Sequence, residues 1–227
     1  MSNPKRMNMK NFKIDIVSDV MCPWCVVGYK NLEAALSELK DEVKAEITWH
    51  PFELNPDMPI EGQDLNQHLM QKYNLTEQQG DENRKNMLEA GQRAGFTFNF
   101  DGKRIMINSF DLHRLLTWAR KEGKQTELKL AFFEAHFTDL KYLNQLDTLL
   151  DVVASVGLDK DTARNILQSD QYAQEVSQEQ DQFKQLGITS VPTFIINDKY
   201  AITGGQPSDS FIQAFKQISQ EQAEPDA

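Results

Sequence analysis

The sequence predicts an α/β fold in which a β-α-β opening and an α-β-β-α close are separated by a long, mainly helical insertion. Three observations predict it. Residues 12–17 alternate apolar and polar side chains and are rich in β-branched types, as a half-buried strand should be. From Val26 onward the apolar period becomes helical, and it stays so through most of residues 62–187. Clear strand signals return only at 193–196 and 200–203.

Taken in order, the first strand is followed by Val26, Tyr29, Leu32, Leu36 and Leu39 at helical spacing, with Lys30, Glu33 and Glu38 on the other side. Residues 43–52 read as a second strand, where Ala45, Ile47, Trp49 and Pro51 alternate with Lys44, Glu46, Thr48 and His50. The prolines at 56 and 59 rule out regular helix or central strand in the next stretch. Helices are predicted at 65–73, 77–94, 110–121, 124–138, 145–156, 160–168 and 172–186. Gly95, Gly123, Gly157 and Gly187 lie just past four of them, as helix-ending glycines do. A short hairpin is expected between 96–100 and 105–107, around Asp101-Gly102. A second hairpin turns at Asn197-Asp198 and is broken by Gly204-Gly205. Ser208 then caps a closing helix whose apolar stripe is Phe211, Ile212, Phe215 and Ile218. The expected division is a discontinuous domain at 12–60 and 187–220, with the helical insertion domain at 61–186.

The chain has 227 residues, enough for one large domain or a small domain carrying an insertion. No apolar run approaches the ~18 residues a membrane helix requires. With 34 acidic against 24 basic residues the net charge is −10, which disfavours nonspecific nucleic-acid or membrane-surface binding. The first ten residues are polar and basic, without an apolar signal segment, so a cytoplasmic location is expected. The end, residues 220–227, is polar and expected to fray.

The chemistry centres on Cys22-Pro23-Trp24-Cys25, which contains the only two cysteines and joins the first strand to the first helix. Reducing cytosol seldom maintains structural disulfides, so a paired thiol there is catalytic or metal-binding. At a helix N-terminus, free backbone N–H groups and the helix dipole favour a thiolate on Cys22, and Pro23 suits the first helical position. Cys25, three residues on, is placed to resolve a mixed disulfide on Cys22, with its own sulfur facing inward. A zinc half-site is the competing reading. It would need two of His50, His68, His113 and His136, and no two of these have compact ligand spacing. The leading expectation is a thiol-disulfide oxidoreductase or isomerase that needs no cofactor and no metal. It would act on protein thiols and disulfides, with glutathione or another small thiol as candidate recycler. Two alternatives stand beside it: a glutathione-dependent isomerase or transferase with a deep apolar pocket, and a noncatalytic protein that binds metal or unfolded clients.

Other residues carry weaker signals. Trp24 between the cysteines offers an apolar contact to a partner and tunes the local thiolate. Asp15 and Asp19 are the acids nearest the dithiol in sequence; Asp19 reads as a turn residue, and neither enters the catalytic set. His113 and His50 read as satisfied boundary histidines, while His68 and His136 have no evident partner. Met58, Met70, Met87 and Met106 suit either a client groove or core filling.

The order of elements, with Cys22-Pro23-Trp24-Cys25 after the first strand and Ser190-Val191-Pro192-Thr193 before the third, resembles the thioredoxin fold with a helical insertion. It is similar to the DsbA family, and within it to the FrnE-like branch of cytosolic members. Trp-His-Pro-Phe-Glu-Leu-Asn-Pro-Asp-Met-Pro at 49–59, residues 108–118 with His113-Arg114-Leu115-Leu116, residues 187–194 and Gly204-Gly205-Gln206 carry the resemblance. It implies a cis Val191-Pro192 bond beside the dithiol, with the Val191 backbone free to pair with an extended substrate. Val191, Pro192 and Trp24 are therefore the expected substrate-binding residues. Gly205 stands where relatives often carry alanine and Ser109 where many carry threonine, changes expected to leave the chemistry intact. Cys22 itself, where some relatives have serine, favours dithiol exchange.

Overall fold

Phe12, Ile14, Ile16 and Val17 are buried almost completely, and the strand they build is the axis of the molecule. The computed structural model describes residues 9–222. Strand β1 (Lys10–Ser18) pairs in parallel with β2 (Val43–Pro51) and antiparallel with β5 (Thr193–Ile196), which pairs antiparallel with β6 (Tyr200–Thr203). The sheet order is β2-β1-β5-β6. From Ile14 to Ser18 every β1 residue is buried, so the half-buried strand of the sequence reading holds only for the first half. A central strand covered on both faces loses the polar alternation that marks an outer one.

Helix α1 (Pro23–Glu38) and the closing helix α9 (Ser208–Glu221) pack against each other and the sheet. Phe215 meets Phe12 edge-on at 5.0 Å between ring centroids, and Phe211 meets Phe194 at 4.9 Å. Each buried ring is worth about 1.5–3 kcal/mol in water-excluded area. Ser208 is the first helical residue and Pro207 occupies the N-cap position, one residue earlier than expected. The chain end is helical to Glu221, and residues 223–227, the rest of the stretch expected to fray, lie outside the described residues.

The helices between β2 and β5 are α2 (Leu65–Tyr73), α3 (Glu77–Ala94), α4 (Phe110–Lys121), α5 (Gln125–Phe137), α6 (Leu146–Ser155), α7 (Lys160–Leu167) and α8 (Ala173–Gln185). They match the predicted spans to within a residue at each end. Gly95, Gly123, Gly157 and Gly187 all adopt positive φ just past a helix, the left-handed turn a side chain resists. Buried Arg114 ties α4 to the end of α7 and the segment after it by donating to the carbonyls of Ile166, Ser169 and Gln171. Met58, Met87 and Met106 fill the core, and only Met70 of the four methionines is exposed.

The hairpin expected between 96–100 and 105–107 does not form. Instead β4 (Ile105–Met106) pairs with β3 (Gln63–Asp64). Residues 96–100 are held by the end of α5: the Asn99 N–H donates to the Phe137 carbonyl at 2.8 Å, and the Thr138 hydroxyl donates to the Thr97 carbonyl at 2.6 Å. The Phe98 ring fills the space a side chain at Gly91 would need. The alternation of Phe96, Phe98 and Phe100 therefore reflects packing on helices.

Helix α5 is fastened to the exposed edge of β2. The Gln125 side-chain amide donates to the Trp49 carbonyl at 2.8 Å and its oxygen accepts the Trp49 N–H at 3.0 Å, while Trp49 Nε1 donates to Thr126 at 3.0 Å. One side chain thus completes the backbone bonds of an edge strand, where open pairing would otherwise invite aggregation.

His50 on β2 lies between two carboxylates, with Nε2 2.7 Å from Asp15 and Nδ1 2.5 Å from Glu179 of α8. Burial lowers its pKa, but the hydrogen bonds to Asp15 and Glu179 outweigh burial and raise it overall. A raised folded-state value means that the network's stabilisation is complete below the ordinary histidine value of 6.5 and is lost as pH rises through the folded value. The excess stability of the wild type over His50→Gln should therefore be largest near about pH 6 and decline toward about pH 9 in denaturant titrations. A difference independent of pH would refute this assignment.

Candidate functional site: the dithiol at the start of α1

Cys22 is the N-cap residue of α1 and Pro23 its first helical residue, as the spacing predicts. The Cys22 N–H donates to the Asp19 carbonyl at 3.3 Å, and the Cys22 carbonyl accepts from the Cys25 N–H at 3.1 Å. Both cysteines are free thiols, 3.4 Å apart. Cys25 is fully enclosed and Cys22 is only 4% exposed. Across from them the Val191-Pro192 bond is cis, as the resemblance implies, and Cys22 Sγ donates to the Val191 carbonyl at 3.7 Å.

Two glycines let these pieces approach. A Cβ on Gly28 of α1 would lie 3.0 Å from the Phe194 ring and 3.1 Å from Pro192 Cγ, so a bare backbone is what seats the cis-proline turn on the helix. At Gly205 a Cβ would lie 2.9 Å from Trp24 Cε3, which puts the missing methyl group under the indole. The departure from alanine at 205 is therefore tied to how Trp24 rests on the loop after β6. Trp24 remains 42% exposed beside the buried sulfurs, and the loop is pinned to α1 by Asn31 donating to the Gln206 carbonyl at 2.8 Å.

The charge of the dithiol falls opposite to the sequence expectation. The hydrogen bond with Cys25, then burial, push the Cys22 thiol well up. At Cys25 burial also pushes upward, but the hydrogen bond from Cys22, the Lys129 ammonium, the Ser18 hydroxyl and the Asp19 N–H together bring it below the ordinary thiol value. Of the two thiols, Cys25 is the one whose thiolate the surroundings favour, and Cys22 is the one they keep protonated. The buried Ser18 hydroxyl finds no oxygen or nitrogen partner, and its neighbour is the Cys25 sulfur. The helix terminus alone did not decide the matter, because the groups crowding Cys25 come from other elements.

The remaining sequence candidates separate cleanly. Asp19 is buried and occupied, accepting from the Met21 N–H at 3.1 Å and the Leu54 N–H at 2.7 Å, which fits its reading as a turn residue. His113 is buried with Nε2 3.0 Å from the Phe52 carbonyl. Asp15 belongs to the His50 network. His68 has partners after all, in Gln63 and Asn55 at 3.0 Å each. His136 packs on Phe137, and burial pushes its pKa down to about 4. Among the described residues no group of three or more histidine, cysteine, aspartate or glutamate side chains is placed to hold a metal. A cavity of about 310 Å³ lies along α5 and α6, lined by polar residues such as Glu134, Thr148 and Asp151, and neither cysteine lines it.

Sequence reasoning missed Ser18, Gly28, Lys129 and Tyr73. Tyr73, at the end of α2, is near enough that after burial the charge of Cys22 contributes to raising its pKa. Lys129 interrupts the stripe of Gln125, Phe132 and Phe133 on α5, a lysine on a helix face otherwise turned inward. That was the available signal.

The sequence model of the DSBA-like thioredoxin domain matches residues 13–216. The chain belongs to this family of oxidoreductases. It is 31% identical to a probable DsbA oxidoreductase from Streptomyces coelicolor, whose solved structure superposes with a TM-score of 0.87 over 95% of this chain and 93% of that one. An uncharacterized Bacillus subtilis protein, YwbO, is 28% identical over 211 residues, covering 92% of this chain and 96% of its own. The structure of the cytosolic disulfide reductase DsbM from Pseudomonas aeruginosa with GSH shares the fold at 17% identity, with a TM-score of 0.63 over 92% of this chain and 99% of that one.

The two close approaches predict unequal costs. Gly28→Ala meets buried Phe194 and Pro192 and should destabilise this DSBA-like chain by about 1–3 kcal/mol. Gly205→Ala meets an indole that can swing into solvent, so it should cost less while changing Trp24 fluorescence. Chemical denaturation of both variants checks the order, and equal costs would contradict it.

Proposed function

We propose that the chain is a thiol-disulfide oxidoreductase that exchanges disulfides with protein thiols through a mixed disulfide on Cys22. The observation that carries this reading is the pair of free thiols 3.4 Å apart at the mouth of α1, with Cys22 facing the cis Val191-Pro192 turn. When a substrate disulfide arrives, transfer of the Cys22 proton to the Cys25 thiolate yields the attacking Cys22 thiolate. That thiolate attacks one substrate sulfur. The substrate S–S bond breaks, a Cys22-substrate disulfide forms, and the other substrate sulfur leaves as a thiolate. Cys25 gives the proton it took to that leaving thiolate and then attacks Cys22 Sγ, closing the Cys22-Cys25 disulfide and releasing the second substrate thiolate. Two electrons have passed to the substrate, and the reverse sequence oxidises a dithiol.

In this reading Val191, Pro192 and Trp24 hold the substrate: the Val191 backbone pairs with an extended chain and the Trp24 ring supplies an apolar contact. Residues 12–60 and 187–220 form the thioredoxin-like unit, and residues 61–186 the helical one. Glutathione or another small thiol recycles the pair, a reading that DsbM crystallised with GSH supports by analogy of fold. Among the described residues no helix is long and apolar enough to cross a membrane. A cytoplasmic setting is part of this reading by analogy with the cytosolic DsbM, which shares the fold.

The test is turnover of a disulfide-linked protein or glutathione disulfide. Cys22→Ser should abolish it, by about 10³-fold or more for loss of the only attacking sulfur. Cys25→Ser should instead accumulate a mixed disulfide on Cys22, visible by mass spectrometry. Retained turnover in Cys22→Ser would overturn the mechanism.

A further inference from the structure

Lys129 is the least expected residue of the interior. It is 1% exposed, and its ammonium lies 5.3 Å from the Trp49 ring and 5.1 Å from the Phe133 ring. Among the described residues no carboxylate forms an ion pair with it. Asp19, the acid whose charge acts on it, has its oxygens committed to the Met21 and Leu54 N–H groups, with His113 Nε2 3.7 Å away. Its position is imposed, not incidental: Gln125, one turn earlier, is bonded on both sides to the Trp49 backbone, which fixes the register of α5 over β2. A buried cation without a partner costs several kcal/mol and usually sheds its proton. The aromatic faces repay part of that cost. The charges that oppose deprotonation are, in order, Cys25, Asp19 and Cys22.

We propose that Lys129 is the counter-charge of the Cys25 thiolate, so that opening the Cys22-Cys25 disulfide is coupled to proton uptake by the Lys129 amine. The inference rests on the oxidoreductase reading and deepens it. When a substrate dithiol reduces the protein, the Cys22-Cys25 bond breaks and a substrate S–S bond forms. Of the two protons the substrate gives up, one stays on Cys22 and one is held by Lys129 opposite the Cys25 thiolate. The groups whose charges act on Lys129 are Cys25 of α1, Asp19 of the β1-α1 turn and Cys22 at the α1 N-cap, and the rings beside its ammonium are Trp49 of β2 and Phe133 of its own helix. Burial pushes the Lys129 pKa down to about 8, within reach of such a switch. The coupling is reciprocal: whatever the lysine does for the thiolate, the thiolate does for the lysine. Lys129 is a positioning residue in this scheme, acting on the reacting sulfur through the field.

Lys129→Met keeps an unbranched chain and removes the charge. Equilibrated with glutathione at pH 7, it should shift about threefold or more toward the disulfide, because the reduced thiolate loses its partner. The resolving step should slow by about fivefold or more with its pH midpoint moved up, while glutathionylation of Cys22 in a Cys25→Ser background changes less than about twofold. A folded Lys129→Met protein that matches the wild type in equilibrium, resolving rate and pH profile overturns the inference and leaves the oxidoreductase reading intact. A wild-type protein that does not exchange with glutathione disulfide sinks that reading and this inference together. The wild type supplies a measurement that needs no folded methionine variant: ¹³C-labelled lysine Cε, with Lys129 assigned by the signal missing in Lys129→Arg. Its titration should fall by about one pH unit or more on disulfide formation, and the same titration in both redox states would overturn the proposal.

Discussion

A thiol pair sealed from water can hold one negative charge only if the surroundings are built to carry it, and that constraint organises the middle of this molecule. Burial alone would keep both Cys22 and Cys25 protonated and inert. What opposes burial comes from four groups on three separate pieces of chain: the Ser18 hydroxyl and Asp19 N–H at the end of β1, the Cys22 thiol itself, and Lys129 on α5. The sheet, the start of α1 and the inserted helices therefore have to meet at one point. The bond pair between Gln125 and Trp49 is what fixes the third of these against the first two.

Most of the fold was legible because its elements are locally consistent. The helix spans, the left-handed glycines that end them and the hairpin at Asn197-Asp198 follow from short-range chemistry, and there the prediction and structure agree to a residue. The errors were nonlocal. Phe96, Phe98 and Phe100 alternate as a strand does, yet the segment is bonded to helix ends: the Phe96 N–H donates to the Gly91 carbonyl of α3, and Asn99 and Thr97 bond Phe137 and Thr138 at the distant end of α5. Residues 105–106 took a partner some forty positions earlier in the chain. Periodicity tells which side of a segment is buried, and not which element buries it.

The site divides along the same line. The positions of Cys22 and Pro23 at a helix N-terminus could be read from the tetrapeptide and its flanks, and the cis bond at Pro192 came from the family resemblance. The direction of charge could not. The helix terminus and the neighbours in sequence favour a thiolate on Cys22, whereas Lys129, whose charge favours one on Cys25, lies more than a hundred residues from it. A lysine among Phe132, Phe133 and Leu128 was the one mark of it in the sequence. Gly28 was equally silent, since nothing in the chain order announces that Pro192 and Phe194 need the space beside it.

Placing the stored charge on Cys25 has a consequence for the proposed cycle. The thiol that must attack first, Cys22, is the protonated one and donates toward the Val191 carbonyl. An extended substrate whose backbone N–H donates to the Val191 carbonyl would compete for it and weaken its hold on the Cys22 proton. Release of the proton toward Cys25 then generates the attacking thiolate only when a substrate is seated. In the proposed cycle, docking and activation then become one event. The exposure of Trp24 beside two nearly inaccessible sulfurs fits such a gate: recognition is on the surface and reactivity lies beneath it.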